Sequence, residues 1–482
     1  MAKNIVIVGG GITGLSAAFY ASKFAQEKQI PVNITLIEKA PALGGKMQTQ
    51  YRDGFTIERG PDSFLARKRP MIDLIQDLNL TDQLVGTDSK AKKTYILHNG
   101  ELHRIPAGSV LGIPTAMGPF FKTGLISPAG KLRALMDLIQ PKGEHTSDES
   151  LGQFLERRLG KEVVQHITEP LLSGIYAGEM SKLSLMATFP QFRSVEQKHR
   201  SLILGMKENR KNQTAPQDIP GVPKGTVFLS LKGGLSSLIK ALEQQLSPQV
   251  TVLTGQQVSA IQKHGDVQDE NTADFHPYTV RLDNGTEYQA DNVILTTPPP
   301  QAATLLAPFD VGEALQNVYY VSVANVIMAF EKKDIAKPLD GSGFLVPRSE
   351  GRHITACTWT STKWAHSAPE DKVLVRCYVG RRGDESITTL PEDELVKKVR
   401  QDMKDLIGLE AEPLFYEVNR WPHAMPQYPV GHVNMVKDVR KKLEQTLPGV
   451  FVTGGGYGGV GLPDCVHQGK TVAEQALSVE DS

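Results

Sequence analysis

The first apolar stretch, Ile5-Val6-Ile7-Val8, is β-branched and has no polar position in it. An unbroken run of this kind predicts a strand buried on both faces, as in a parallel sheet. Leu15 to Ala25, rich in alanine and aromatic residues and free of glycine and proline, predicts a helix that runs on towards Gln29. Val32 to Ile37 predicts the second strand. Pro70 to Leu80 carries Ile72, Ile75 and Leu78 at helical spacing, and residues 94–105 read as a hairpin turning at Asn99-Gly100. From about Pro106 to Pro220 the pattern is mainly helical, with helices expected over Ala129–Ile139, Ser150–Leu159 and Gly160–Leu172. Ala107 to Leu125 is apolar and is open to three readings: core, channel wall or a shallow membrane-contact face. Asn209 to Gly225 is polar and proline-rich and predicts a surface loop.

Strand patterning then returns at Phe228–Leu231, Val250–Val252, Val258–Ile261, Tyr278–Leu282 and Asn292–Thr296, with a helix ending at Leu246. Residues 318–420 are strand-rich: Ser322–Phe330, Gly343–Pro347, Ile354–Trp359 and Val373–Val379, followed by a helix over Glu392–Leu406. At the end, Val450–Thr453 predicts a strand that enters a glycine run, and a helix follows from Asp464 to about Ala476.

Two glycine turns give these elements chemical meaning. Gly9, Gly11 and Gly14, with Ile12 and Thr13 between them, form G-x-G-x-x-G between a strand and a helix. In that order the glycines permit a tight turn, close approach of backbone to a pyrophosphate, and close helix–strand packing. Glu38 ends the second strand, where an acid can bind ribose hydroxyls. A second turn follows at once, Lys39-Ala40-Pro41-Ala42-Leu43-Gly44-Gly45-Lys46. It resembles the acid-then-Gly-Gly signature of amine-oxidase-like flavoproteins, which implies FAD in place of NAD and puts this turn beside the ribityl and pyrophosphate portion.

The chain has 482 residues, too many for one ordinary core, so two or three domains are expected. Lys plus Arg and Asp plus Glu both total 53, so bulk charge gives no argument for a nucleic-acid partner. The three cysteines, Cys357, Cys377 and Cys465, lack metal-site spacing and suit a reducing compartment. Cys465 reads as a small helix residue. No secretory signal follows Met1, and no apolar run reaches the roughly 18 residues of a transmembrane helix.

Four stretches carry a wider resemblance: Glu58-Arg59-Gly60-Pro61-Asp62-Ser63-Phe64-Leu65, Glu169 to Gly178 (EPLLSGIYAG), Pro190-Gln191-Phe192, and Gly459-Val460-Gly461-Leu462-Pro463-Asp464-Cys465. On these the sequence resembles the protoporphyrinogen oxidase family of haem synthesis, most closely its soluble Gram-positive branch acting on coproporphyrinogen III. The resemblance implies an α/β fold: a glutathione-reductase-like Rossmann domain for FAD, discontinuous in sequence, with a strand-rich substrate domain and a mostly helical domain. The FAD domain is expected over 1–90, 223–300 and 421–482, the helical domain over 91–222 and the substrate domain over 301–420. It implies removal of six electrons from a porphyrinogen in three flavin cycles, with oxygen as acceptor, hydrogen peroxide as product, and a ferrochelatase as the next enzyme. A cytoplasmic location, with loose membrane contact through the helical domain, goes with it.

The FAD contacts expected on this basis are Gly9, Gly11, Ile12, Thr13, Gly14, Glu38, Lys39, Gly44, Gly45, Lys46, Gly60, Pro61, Asp62, Ser63, Val258, Thr296, Trp421, Gly455, Gly461, Leu462, Pro463 and Val466. Hydride transfer from a bridging carbon needs no strong protein base, so no catalytic side chain is assigned. A four-carboxylate substrate needs cations around a wide apolar slot. Arg67-Lys68-Arg69 and Lys198-His199-Arg200 are either such cations or solvated faces. Leu171, Ile175, Phe192 and Trp421 are candidates for the slot. His423 is either a titrating group near the flavin or a surface residue. Protoporphyrinogen IX as substrate, an amine oxidase, and a non-catalytic flavin-bound sensor are the alternatives.

Overall fold

The computed structural model describes residues 2–143, 147–212, 222, 225–246, 250–264 and 275–478. Five strands form a parallel sheet in the order β3-β2-β1-β4-β5: β1 (Lys3–Val8), β2 (Val32–Glu38), β3 (Val250–Thr254), β4 (Asn292–Leu295) and β5 (Val450–Val452). Ile5 pairs with Ile34 on one side and Asn292 on the other. Ile5, Ile7, Val293, Ile294 and Leu295 are fully buried, which is why these strands read as unbroken apolar runs. The sheet draws on the beginning, middle and end of the chain, so the unit is discontinuous in sequence. Helix α1 (Ile12–Lys28) and helix α2 (Leu462–Ser478) pack side by side against it. Their approach is so close that a Cβ on Gly469 would lie 2.5 Å from the Thr13 carbonyl oxygen.

A seven-stranded sheet forms the second body, in the spatial order Phe415–Pro426, Tyr320–Glu331, Lys372–Val379, Ile354–Thr358, Gly343–Leu345, Thr94–His98 and Glu101–Arg104. The 94–104 hairpin turns at Asn99 and Gly100, both with positive φ, and attaches in parallel to Gly343–Leu345. The sheet therefore takes strands from the segment expected to be mostly helical. The strand Phe415–Pro426 was not foreseen, and it runs through the expected boundary at residue 421. It lies at the sheet edge, where Pro422 is tolerated because no neighbour requires its missing N–H. Cys357 and Cys377 face one another across adjacent strands as buried thiols.

The helices of 117–212 form the third body. Ser150 caps Leu151–Leu159 by accepting from Gln153 N at 3.1 Å, and Gly160 at φ 84° ends it. The helix expected over Gly160–Leu172 extends to Tyr176 and contains a wide π turn at Val164–Thr168. Pro170 accounts for this: its ring nitrogen cannot donate to the preceding turn. Ala129–Ile139 is realised as Pro128–Leu135 plus one tighter turn, Met136–Leu138. Within Ala107–Leu125, Ile113, Phe120 and Leu125 are core, while Phe121 stays half exposed. The loop expected at Asn209–Gly225 is helical as far as Asn212, and most of the remainder lies outside the described residues.

Arg158 holds this body together. It is fully buried and donates to Asp137 Oδ1 (2.5 Å), to the Asp137 carbonyl (2.9 Å), and to the Pro141 and Arg200 carbonyls (both 2.8 Å).

Candidate functional site

The strands β1, β2, β4 and β5 end at one edge of the parallel sheet, the edge at which open α/β sheets bind ligands. Gly9, at φ 109°, turns the chain there. Thr296 Oγ1 donates to the Val8 and Gly9 carbonyls at 2.9 and 3.0 Å, and a Cβ on Gly9 would fall 2.5 Å from that oxygen. A Cβ on Gly14 would fall 1.9 Å from the Gly9 carbonyl oxygen. Gly11 differs: nothing lies within 4 Å of its Cβ position. The space in front of α1 is therefore open, and α1 has no side-chain cap at its N-terminus. Uncapped N–H groups at the positive end of a helix make an anion site.

The second glycine turn stacks on the first. Gly44 N–H donates to the Gly10 carbonyl at 2.8 Å, and the Gly45 Cβ position is 3.4 Å from Gly11 Cα. Glu38 ties the two together, accepting from Gly10 N (2.6 Å) and Ala40 N (2.7 Å). Gln256 N–H donates to the Glu38 carbonyl, which brings Val258 to the same place. Lys39 is exposed.

The Arg59–Gly60 turn is locked to the large sheet. The Arg59 carbonyl accepts from Asn325 Nδ2 (2.9 Å), Trp421 Nε1 (3.0 Å) and Arg376 Nη2 (3.2 Å), and the Gly60 carbonyl accepts from Arg376. Asn419 supports this arrangement, donating to Asn325 Oδ1 and accepting from Arg59 Nε. Gly60 sits where a Cβ would collide with the Lys46 carbonyl.

At the C-terminal glycine run, Tyr428 donates to the Gly455 carbonyl, and Gly456 is pressed against Pro299 and the Tyr320 hydroxyl. Lys68 pairs with Asp464 in the first turn of α2 at 2.5 Å. Burial pushes the Cys465 thiol up to about 11, which suits a small packing residue and not a nucleophile.

At three expected site residues the side chain is engaged away from an open cleft. The Asp62 carboxylate is engaged by Lys363 (3.0 Å), Trp364 Nε1 (3.2 Å) and Ser63 Oγ (2.6 Å). Burial pushes its pKa upward, but the charges of Lys363 and Arg376 outweigh that and hold it well below the usual carboxylate range. It anchors the domain junction, leaving Pro61 and the backbone of this turn for a cofactor. The Val466 side chain is fully buried in the core of the parallel-sheet body, so only its backbone is at the start of α2. Phe192 is fully buried and stacked on Phe189, 5.5 Å between ring centres, so it fills the helical core and walls no open slot.

Among the other substrate candidates, Leu171 is half-buried and Ile175 is 44% exposed. Arg67 is exposed, and Arg69 pairs with Asp73 along its own helix. His199 contacts Glu208, Arg200 caps the Leu138 carbonyl, and His423 is exposed. Sequence reasoning missed Asn325, Arg376, Asn419, Lys363 and Tyr428. The available signal was a polar residue inside an apolar strand, as at Asn325 and Arg376.

Residues 12–477 match the family described as flavin containing amine oxidoreductase. The chain is 45% identical to a coproporphyrinogen III oxidase of Bacillus subtilis, over 99% of this chain and 98% of that one. It is 39% identical to a coproporphyrinogen III oxidase of Staphylococcus aureus, over 99% and 100%. It is 31% identical to the chloroplastic protoporphyrinogen oxidase 1 of Arabidopsis thaliana, over 96% and 86%. A crystal structure from Exiguobacterium, assigned as a candidate protoporphyrinogen oxidase, superposes with a TM-score of 0.85 at 38% identity, covering 98% of each chain. The fold alone is shared with a UDP-galactopyranose mutase, TM-score 0.69 at 15% identity, over 100% of this chain and 95% of that one. The open space over Gly11, the uncapped α1 and the stacked glycine turns fit an extended dinucleotide that continues towards α2.

Proposed function

The chain belongs to the porphyrinogen oxidases of the flavin-containing amine oxidoreductase family, and on that premise we propose that it oxidises coproporphyrinogen III to coproporphyrin III in haem synthesis, with dioxygen as acceptor and hydrogen peroxide as second product. The observation that carries the substrate is the full-length likeness to the Bacillus subtilis enzyme.

The chemistry that FAD supplies when bound is two-electron oxidation at the bridging carbons of the macrocycle. The chain's own residues bind and orient. Gly9, Gly11 and Gly14, with the start of α1, hold the pyrophosphate. Glu38 meets the adenosine ribose, and Val258 lies at the adenine. Gly44, Gly45 and the Gly60–Ser63 backbone line the middle of the cleft, and the Lys46 side chain reaches from there towards Ala424 and α2. Gly455, Gly461, Leu462 and Pro463 receive the flavin end. Trp421 closes the wall over Gly60.

Leu171 and Ile175 offer an apolar surface to the macrocycle, and Arg67 meets a propionate. Lys68 and Arg69 already have carboxylate partners, Asp464 and Asp73, whereas none of the described carboxylates pairs with Arg67. The proton lost from a pyrrole nitrogen needs no strong base, because the product's own nitrogens stabilise it. We place the reaction in the cytoplasm, with loose bilayer contact and a metal-inserting ferrochelatase as the next enzyme. Among the described residues no helix is long and apolar enough to cross a membrane.

The test is stoichiometry under air. Three molecules of oxygen consumed and three of hydrogen peroxide formed per coproporphyrin support the proposal. Porphyrin formed without oxygen uptake removes oxygen as acceptor. The plant relative favours a second reading, protoporphyrinogen IX as substrate, and turnover of that compound alone would select it.

A further inference from the structure

Lys46 combines two properties that rarely meet. It is exposed to solvent, yet enough protein surrounds it that desolvation lowers its pKa. Both hold for a group on the wall of a deep cleft. Its ammonium donates to the Ala424 carbonyl and lies within electrostatic range of Cys465, in the first turn of α2. No described carboxylate pairs with it, and the neighbouring Lys68 is taken by Asp464. The Cys465 thiol stays neutral at ordinary pH. Water now reaches the Lys46 ammonium, and a ligand that filled the cleft would displace that water and leave its own anionic group as the available counter-charge.

We propose that the Lys46 ammonium is the fixed counter-charge for the pyrimidine edge of the reduced flavin ring and thereby sets how readily the bound cofactor accepts electrons. The assignment rests on the flavin reading above, but not on which substrate is oxidised. Two anionic groups of FAD compete for it. The pyrophosphate already has the uncapped N–H groups of α1 in front of the open space at Gly11. Lys46 instead reaches Ala424 and the first turn of α2, the flavin end of the cleft. Each oxidation delivers two electrons and one proton to the ring as hydride, leaving one net negative charge there, and the second proton passes from the pyrrole nitrogen to solvent. A cation at that edge favours the reduced form.

The experiment measures the two-electron midpoint potential and the FAD dissociation constant of the holoenzyme without substrate, for wild type, K46M, K46Q and K46R. K46M and K46Q are expected to disfavour the reduced form at least tenfold, about 30 mV more negative, with FAD affinity changed less than threefold. K46R, which keeps the charge, is expected to stay within threefold of wild type in both. An unchanged or raised potential in the neutral variants overturns the assignment. If FAD affinity falls tenfold at unchanged potential, Lys46 serves the pyrophosphate instead. K46Q keeps the comparison open if K46M does not fold, and failure of wild type to bind FAD at all would strike the flavin reading itself.

Discussion

Replacing Arg376 by methionine tests the junction that fixes the Arg59–Gly60 turn. Arg376 is buried, with 5% exposure, and its guanidinium donates to the Arg59 and Gly60 carbonyls. Arg376, Glu58 and Asp62 line one small cavity of about 10 Å³. Removing the charge has two effects. The Arg59 carbonyl keeps Asn325 and Trp421 as donors, so the lost bonds cost about 1.5–3 kcal/mol, the range for hydrogen bonds to charged groups. Asp62 loses one of two cations but keeps Lys363 at 3.0 Å, so the full cost of about 3–5 kcal/mol for truncating a buried pair is not reached. The expected sum is about 3 kcal/mol, a fall of several degrees in Tm. Thermal unfolding of wild type, R376M, D62N and the double variant measures it, and the double variant is expected to lose clearly less than the sum of the singles. Purely additive losses, or less than about 1 kcal/mol for R376M, would refute the argument that this charge holds the turn through Asp62.

Other outcomes follow from single contacts. Gly14→Ala forces a Cβ to 1.9 Å from the Gly9 carbonyl, so flavin content after purification is expected to fall at least tenfold, and retained yellow protein would contradict the turn geometry. Glu58 is pushed up to about 7, chiefly by burial. The folded chain therefore holds a proton that the unfolded chain releases, and this stabilisation is present below the unfolded value of 4.5 and lost as pH rises towards 7; E58Q is expected to flatten Tm against pH across that window. Arg158→Met removes the cation from the buried Asp137 carboxylate, which keeps Ser201 Oγ and Ile203 N as donors, and costs about 3–5 kcal/mol, while adding Asp137→Asn, which removes the charge and keeps an acceptor for those donors, is expected to recover most of it in thermal melts.

The parts of the fold legible in the sequence are those whose causes are local. Val8 to Gly14 is a strand, a turn and a helix start within a few residues, and Gly14 is demanded by the Gly9 carbonyl five residues before it. The second turn at Gly44 and Gly45, and the glycine run before α2, are legible for the same reason. The Asn99-Gly100 hairpin is equally local, although the sheet it joins is not. What stayed hidden depends on distant partners. Asp62 reads as a loop acid beside a glycine, and only Lys363, 301 residues away, gives it a structural role. Phe192 stands in a stretch that signals the family, but its stacking on Phe189 puts it in the core. The strand Phe415–Pro426 breaks apolar alternation with Glu417, Asn419, Arg420 and Pro422. Two of these polar residues tie the strand to the 48–60 segment: Asn419 supports the Arg59 turn and Glu417 accepts from Gln50. A polar residue at a strand position marks a junction as readily as it marks a loop.

The most direct test of the account is anaerobic stopped-flow reduction of the bound flavin by coproporphyrinogen III and protoporphyrinogen IX, side by side, in wild type and Arg67→Gln. The account predicts faster and tighter reduction by the four-carboxylate substrate in wild type, and a narrower gap in the variant. Preference for protoporphyrinogen IX, or no reduction by either compound, would contradict it.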